Sequence, residues 1–504
     1  MKLNAIFATL VTVLLVLAPQ VHAKPVRVEG GQIEGTVKDG LRIWQGIPYA
    51  APPVGDLRWR APQPVVPWLG VRETTAFAPA CRQTAPWIPY TQSEDCLYLN
   101  IWAPPARKGE KLPVMVWLYG GGFYFGTATQ PLYDGAHMAR HGVIVVTLNY
   151  RVGVFGFFSH PDLAAEGKVD GNQGVLDQVA ALKWVKTNIA AFGGNPNRVT
   201  IFGESAGAES VAMLETSPLA KGLFQRAIAE SGTTALDPRE DSVYDKSVAE
   251  AEGIALGHSL NAPRLVDLRK LDAGTILKQP WSPRAIIDGY LLPADMTTAY
   301  AASVPSRVPL LVGSNADEGK DLAPGAIEGH VVDVAHYPEL AGLVLGHVPS
   351  QAVLDAYPVK SEADLKPMLF KLMTDSISWH MGQWARLHIA SRSGPAYVYD
   401  FVHIPAQPVK PCGYGCGAGH GAEIPFVYDQ LAQDPRAWSA EDHMMAERMV
   451  SYWTNFAKTG NPNGPGLPAW SRFDGGTASV VRLGSDAEVE KAPPVPDYRL
   501  INGR

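Results

Sequence analysis

Long apolar runs are scarce in this chain. The one that follows Met1 and Lys2, "AIFATLVTVLLVLA", covers about fourteen residues, short of the roughly twenty that cross a bilayer. With a charged start and small residues at Val21 and Ala23, it has the layout of a secretory signal peptide cut after Ala23. Residues 1–23 are therefore expected to be removed, leaving 24–504 as one domain with no stable membrane insertion. Blocks of like charge, low-complexity tracts and internal repeats are absent, which excludes charged tails and solenoid arrays. The net charge is only -6, which argues against a nucleic-acid or anionic-membrane partner. Cysteine is sparse too. The four residues Cys81, Cys96, Cys412 and Cys416 form an even set in an exported chain, which suggests two disulfides. Three connectivities are open, and pairing of neighbours is the simplest. A metal at Cys412, Cys416 and His420 would need a shared helix face. The stretch "PCGYGCGAGHG" opens with proline and is glycine-rich, so no helix is expected there and no metal.

What is present is an alternation of buried strands and helices. Continuous apolar runs at 114–118 and 143–148 read as strands covered on both faces, and 199–202, 226–230, 308–313 and 396–401 as further strands. Residues 175–192 carry apolar positions at helical spacing and stop at Gly193 and Gly194, and 440–460 reads as a C-terminal helix. The pattern predicts an α/β fold with a large, mostly parallel sheet between helical layers. The stretches around 233–300 and 320–395 read as helical insertions.

The strand at 199–202 runs into Gly203, Glu204, Ser205, Ala206 and Gly207. A strand, a G-x-S-x-G turn and a helix form a nucleophile elbow, in which flanking glycines leave room for a strained serine backbone. The helix N-terminus then faces developing negative charge. A second glycine run, "LYGGGFYFG" at 118–126, matches an oxyanion loop of the HGGG type with Tyr119 in the histidine position. It offers the N–H groups of Gly121 and Gly122, beside that of Ala206, to a tetrahedral intermediate. Serine needs a base, and His420 in "GAGHGAEIPFVY" stands on a small-residue loop after a strand. The acid should lie between serine and histidine, where Asp317 and Glu318 in "SNADEG" compete on equal chemical terms.

Taken together these segments resemble the type-B carboxylesterases, which share their α/β-hydrolase fold with the cholinesterases. "FGGNPNRVTIFGESAG", "EDCLYLNIWAP", "QGIPYAAPPVGDLRW", "NYRVGVFGFF", "GNQGVLDQVAAL" and "NFAKTGNPN" are similar to family segments and occur in the family order. The resemblance implies Ser205 as nucleophile, Glu318 as acid and His420 as base, with the oxyanion glycines in the 120–122 run. It implies a Cys81–Cys96 disulfide, an accessory serine at Ser231, and ion pairs joining Arg58 to Glu94 and Arg151 to Asp177. Glu230 stands where the family commonly has glutamine. Cys412 and Cys416 have no general family counterpart, and their pairing would rigidify the His420 loop.

The expected protein is a secreted or periplasmic serine esterase acting on a small-molecule ester through an acyl-enzyme, without a cofactor. An amidase or peptidase would use the same residues, and a non-catalytic cholinesterase-like adhesion protein is the alternative of another class. Phe123, Tyr124, Phe125, Trp87 and Tyr90 are expected to line an aromatic gorge. An unperturbed His420, near 6.5, would make activity fall below about pH 6.

Overall fold

Ten strands form the central sheet of the computed structural model, which describes residues 22–484 apart from 86–87, 106, 168, 233–244, 303, 407–416, 434 and 477–478. In chain order they are β1 (Thr36–Lys38), β2 (Leu41–Pro48), β3 (Tyr98–Ala103), β4 (Leu112–Leu118), β5 (Ile144–Leu148), β6 (Gly194–Glu204), β7 (Arg226–Glu230), β8 (Leu310–Asn315), β9 (Ala396–Phe401) and β10 (Val480–Leu483). Across the sheet the order is β10-β9-β8-β7-β6-β4-β5-β3-β2-β1. From β5 to β10 every neighbouring pair is parallel, while β1, β2 and β3 add an antiparallel edge.

Parallel strands need crossovers, and crossover helices cover both faces. That is why β4, β5 and the 199–202 part of β6 read as largely apolar runs: every residue of β4 and β5 is buried. The helices that matter for the site are α1 (Gln173–Asn188), α2 (Ala206–Thr216), α3 (Glu318–Ala326), α4 (Glu362–Ala390) and α5 (Ala440–Thr459). α5 starts with a capping box between Ser439 and Asp442 and stops at Gly460 in the left-handed conformation, both standard helix signals. The main core spans the sheet and its covering helices. The two stretches read as insertions carry several helices and pack smaller clusters, one around Leu340 and Leu369, the other setting Leu256, Leu265 and Leu268 against Trp59 and Phe158.

Cys81 and Cys96 are joined by a disulfide, with Cα atoms 5.0 Å apart. Cys412 and Cys416 lie outside the described residues, as do residues 1–21 of the expected signal peptide. Ala23 is buried and donates its N–H to Gly35 O at 2.9 Å. No helix among the described residues is long and apolar enough to cross a membrane.

Candidate active site

β6 ends at Glu204 and α2 begins at Ala206. Between them Ser205 takes φ 55° and ψ -126°, a left-handed backbone that a side-chain-bearing residue adopts only under constraint. The constraint is visible on both sides. A Cβ on Gly207 would stand 2.0 Å from Leu118 O, and one on Gly203 would stand 2.6 Å from the same oxygen. Only glycine lets α2 and β6 approach β4 so closely. The Ser205 N–H donates to Glu230 O on the neighbouring strand at 2.8 Å, which pins the turn to β7.

The second glycine run leaves β4 directly above this turn. A Cβ on Gly120 would lie 2.9 Å from Ser205 Cβ, so the loop packs against the serine. Gly121 and Gly122 have φ of 99° and 59°. Among the described residues, the N–H groups of Gly121, Gly122 and Ala206 donate to no backbone carbonyl in the loops and turns. Ser205 is half-buried and Ala206 buried.

Glu318 opens α3 just beyond β8 and is fully buried. Its Oε1 accepts the N–H of Asn315 at 2.8 Å and its Oε2 lies 2.6 Å from His420 Nδ1. The neighbouring Asp317 points elsewhere, pairing with Lys320 at 2.9 Å and accepting the Ala418 N–H at 3.0 Å. Asp321 accepts the His420 backbone N–H at 3.0 Å, so α3 holds the histidine loop by main chain and side chain together. The structure thus brings Glu318 and His420 into contact. Among the described residues no hydrogen bond joins His420 to Ser205. His420 Nε2 lies instead 3.1 Å from Glu204 Oε1, without hydrogen-bond alignment.

Sequence reasoning missed Glu204 as a site residue, and with it a cluster of acids. Glu204, Glu318 and Glu423 are buried around His420, and the buried Glu230 adjoins Glu204 and Glu423. Burial works to lower the His420 pKa, but the carboxylates of Glu204 and Glu318 outweigh it and raise the value above its ordinary range. Burial in turn pushes Glu204 up to about 7, against the pull of His420. The two directions compete for one proton. The ring faces two carboxyl groups while each of them faces one ring, so the charge is better placed on the imidazole. Burial also raises Glu423, to about 8, with Glu204 and Glu318 adding to it. Ser231 is buried with a left-handed backbone, φ 54°, and its Oγ has no hydrogen-bond partner among the described residues.

A cavity of about 790 Å³ opens beside the histidine, walled by Tyr90, Phe125, His420, Lys320, Arg436 and Trp438 among others. Phe125 and Tyr90 thus line it as expected. Phe123 does not: it is 4% exposed and packs on Phe157 with ring centroids 4.7 Å apart. Its left-handed backbone, φ 62°, turns it into the core. Tyr124 is 43% exposed and bonds Ser282 at 2.8 Å. Trp87 lies outside the described residues. The ion pairs behind the site are present, with Arg58 bidentate to Glu94 and Arg151 bidentate to Asp177, the shortest contact in each 2.7 Å.

A strand-turn-helix serine beneath a glycine loop, on a mostly parallel sheet, defines an α/β-hydrolase. The sequence profile of the carboxylesterase family matches residues 18–500. The chain belongs to that family, the type-B carboxylesterases, and is a carboxylic-ester hydrolase. It is 38% identical to a fumonisin B1 esterase of Sphingopyxis macrogoltabida, over 88% of this chain and 84% of the relative. It is 37% identical to the para-nitrobenzyl esterase of Bacillus subtilis, over 93% and 96%. A human cocaine esterase is 35% identical, over 94% and 90%. A solved PNB esterase superposes with a TM-score of 0.78 at 34% identity, covering 94% of this chain and 98% of that one.

Proposed function

We propose that the protein hydrolyses small-molecule carboxylic esters through an acyl-enzyme on Ser205. His420 takes the hydroxyl proton through Nε2 as Oγ attacks the ester carbonyl. Glu318 fixes the tautomer by accepting from Nδ1 and stabilises the imidazolium that forms. The oxyanion rests on the N–H groups of Gly121, Gly122 and Ala206. His420 returns the proton to the leaving alcohol, then activates the water that frees the acid. Ser231 is an accessory residue behind the triad. No step calls for a metal or organic cofactor. The observation that carries the reading is the strained Ser205 turn, held beneath a glycine loop whose N–H groups face no backbone acceptor. Residues 1–23 are read as an export signal, which places the mature protein in the periplasm or outside the cell.

The test is burst and steady-state hydrolysis of p-nitrophenyl acetate and butyrate by wild type and Ser205→Ala, with a matched amide alongside. A burst and turnover in wild type, lost in a folded S205A, is the expected result. Equal activity in both would overturn the assignment of Ser205.

A further inference from the structure

The register of the sheet sets four residues in a row across adjacent strands, two of them, Glu204 and Glu230, at their strands' carboxyl ends. Glu204 pairs with Glu230, Glu230 with Gly313 and Gly313 with Tyr399. In-register residues of parallel strands point to the same face, so the side chains of Glu204 and Glu230 project side by side. Gly313 leaves its place in the row open, and the Tyr399 ring lies across it, 2.2 Å from where a Cβ would be. Among the described residues, the side chain of the fully buried Glu230 has one bond, from Trp453 Nε1 of α5 to its Oε1 at 2.8 Å, and its Oε2 has no partner.

The surroundings of Glu230 are acidic or neutral from every side. Glu204 faces it from β6, Glu423 from the segment after His420, and Tyr399 from β9. The phenols of Tyr133 and Tyr428 also lie within its field. No lysine or arginine among the described residues pairs with it, and no group of described residues there could hold a metal ion. A buried, uncompensated carboxylate costs far more than a buried acid, which loses its charge instead. Among the described residues, Glu423 Oε1 and the phenol oxygens of Tyr399 and Tyr428 in the same cluster also make no hydrogen bond, so none of them supplies a cation or a bond to Glu230.

We propose that Glu230 is a neutral carboxylic acid in the working enzyme, and that it is a positioning residue which keeps the negative charge around His420 to its contacts with Glu204 and Glu318. This rests on the assignment of His420 as the base. Burial and the Glu423 carboxyl act on Glu230 in the same direction, well above the ordinary carboxyl range.

The test compares wild type, Glu230→Gln and Glu230→Met in two ways. The first is the protonated-carboxyl C=O stretch in infrared difference spectra at pH 7.5, a signal independent of turnover. Wild type minus E230Q should show one such band. The second is the acid limb of kcat/KM for p-nitrophenyl butyrate. Both neutral variants should keep its midpoint within about 0.3 pH unit of wild type, since no charge has been removed. A missing band overturns the proposal, as does a limb displaced downward by about one unit, the sign of a lost carboxylate. Failure of both variants to fold overturns it too, because a side chain that is neutral in the native protein tolerates a neutral one of its own length. Inert wild-type protein would count against the esterase assignment, while the infrared band would still decide the state of Glu230.

Discussion

His420 Nε2 lies 3.1 Å from Glu204 Oε1, at the ring nitrogen that in the proposed mechanism takes the proton of Ser205. The base therefore sits between two carboxyl groups, Glu318 behind it and Glu204 in front. An imidazolium in that position is stabilised before any substrate arrives.

The acid limb follows from this contact. The active base is the neutral ring, and the folded-state pKa is raised above 6.5, so activity is lost as pH falls through that higher value. The midpoint of kcat/KM should lie above 6.5 rather than near pH 6. Glu204→Gln removes one charge from the ring and should lower the midpoint by about one unit, worth about 1.4 kcal/mol. A wild-type midpoint at or below 6.5, or an unmoved one in E204Q, would refute the raised value.

The elbow sets a steric limit. A methyl at Gly207 would meet Leu118 O at 2.0 Å, and main chain on both sides gives way only by moving. Gly207→Ala should cost about 1–3 kcal/mol of stability and reduce kcat by at least about a hundredfold, since displacement of a reacting group by an ångström carries that penalty. Gly222→Ala is the control, since a Cβ there meets nothing within 4 Å; its φ of 79° adds strain alone. Urea unfolding and steady-state rates check both. G207A with near-wild-type kcat would mean that the turn is looser than its contacts indicate.

A carboxyl away from the site controls stability. Glu215, in the last turn of α2, accepts from Tyr300 Oη at 2.6 Å and Trp384 Nε1 at 3.1 Å, and burial pushes it up to about 7 from 4.5. The native state keeps a proton that the unfolded chain gives up at lower pH. Its contribution is complete below about pH 4.5 and is lost as pH rises to about 7, a decline of about 3 kcal/mol. Glu215→Gln should flatten that decline in urea midpoints measured at pH 5 and 7. An unchanged slope in E215Q would place the proton elsewhere.

Much of the sheet was legible because parallel strands buried on both faces leave unbroken apolar runs. The runs at 226–230 and 396–401 coincide with β7 and β9. β6 was read only from 199 to 202 because its first half, "GNPNR", carries no apolar signal and shifts register before Val199. The antiparallel edge, β1 to β3, was not read at all. In β2 half-buried Arg42, Gln45 and Gly46 interrupt the apolar positions, and no continuous run survives. At the site, the glycines of the elbow and the HGAE segment were readable as motifs. Glu204 and Glu230 were not, because an acid ending a strand looks in one dimension like a solvated cap. Only their register on adjacent strands, with Glu423 returning from far along the chain, shows that they share one buried space. Phe123 misled for a related reason: proximity in sequence to the glycine loop says nothing about which way a left-handed residue turns its ring.

The parts of the site come from distant stations on the chain. Glu318 and His420 are 102 residues apart, and the bond from Trp453 to Glu230 spans 223. Each belongs to a strand or loop whose place depends on neighbours added by crossover, and such contacts form only after long loops have closed. A partly assembled sheet therefore holds the serine turn without its base, or the base without its acids. Such a species has no means of turning over an ester, so catalysis itself reports completion: the last long-range closure during folding is also the moment at which the chain first acquires a chemistry.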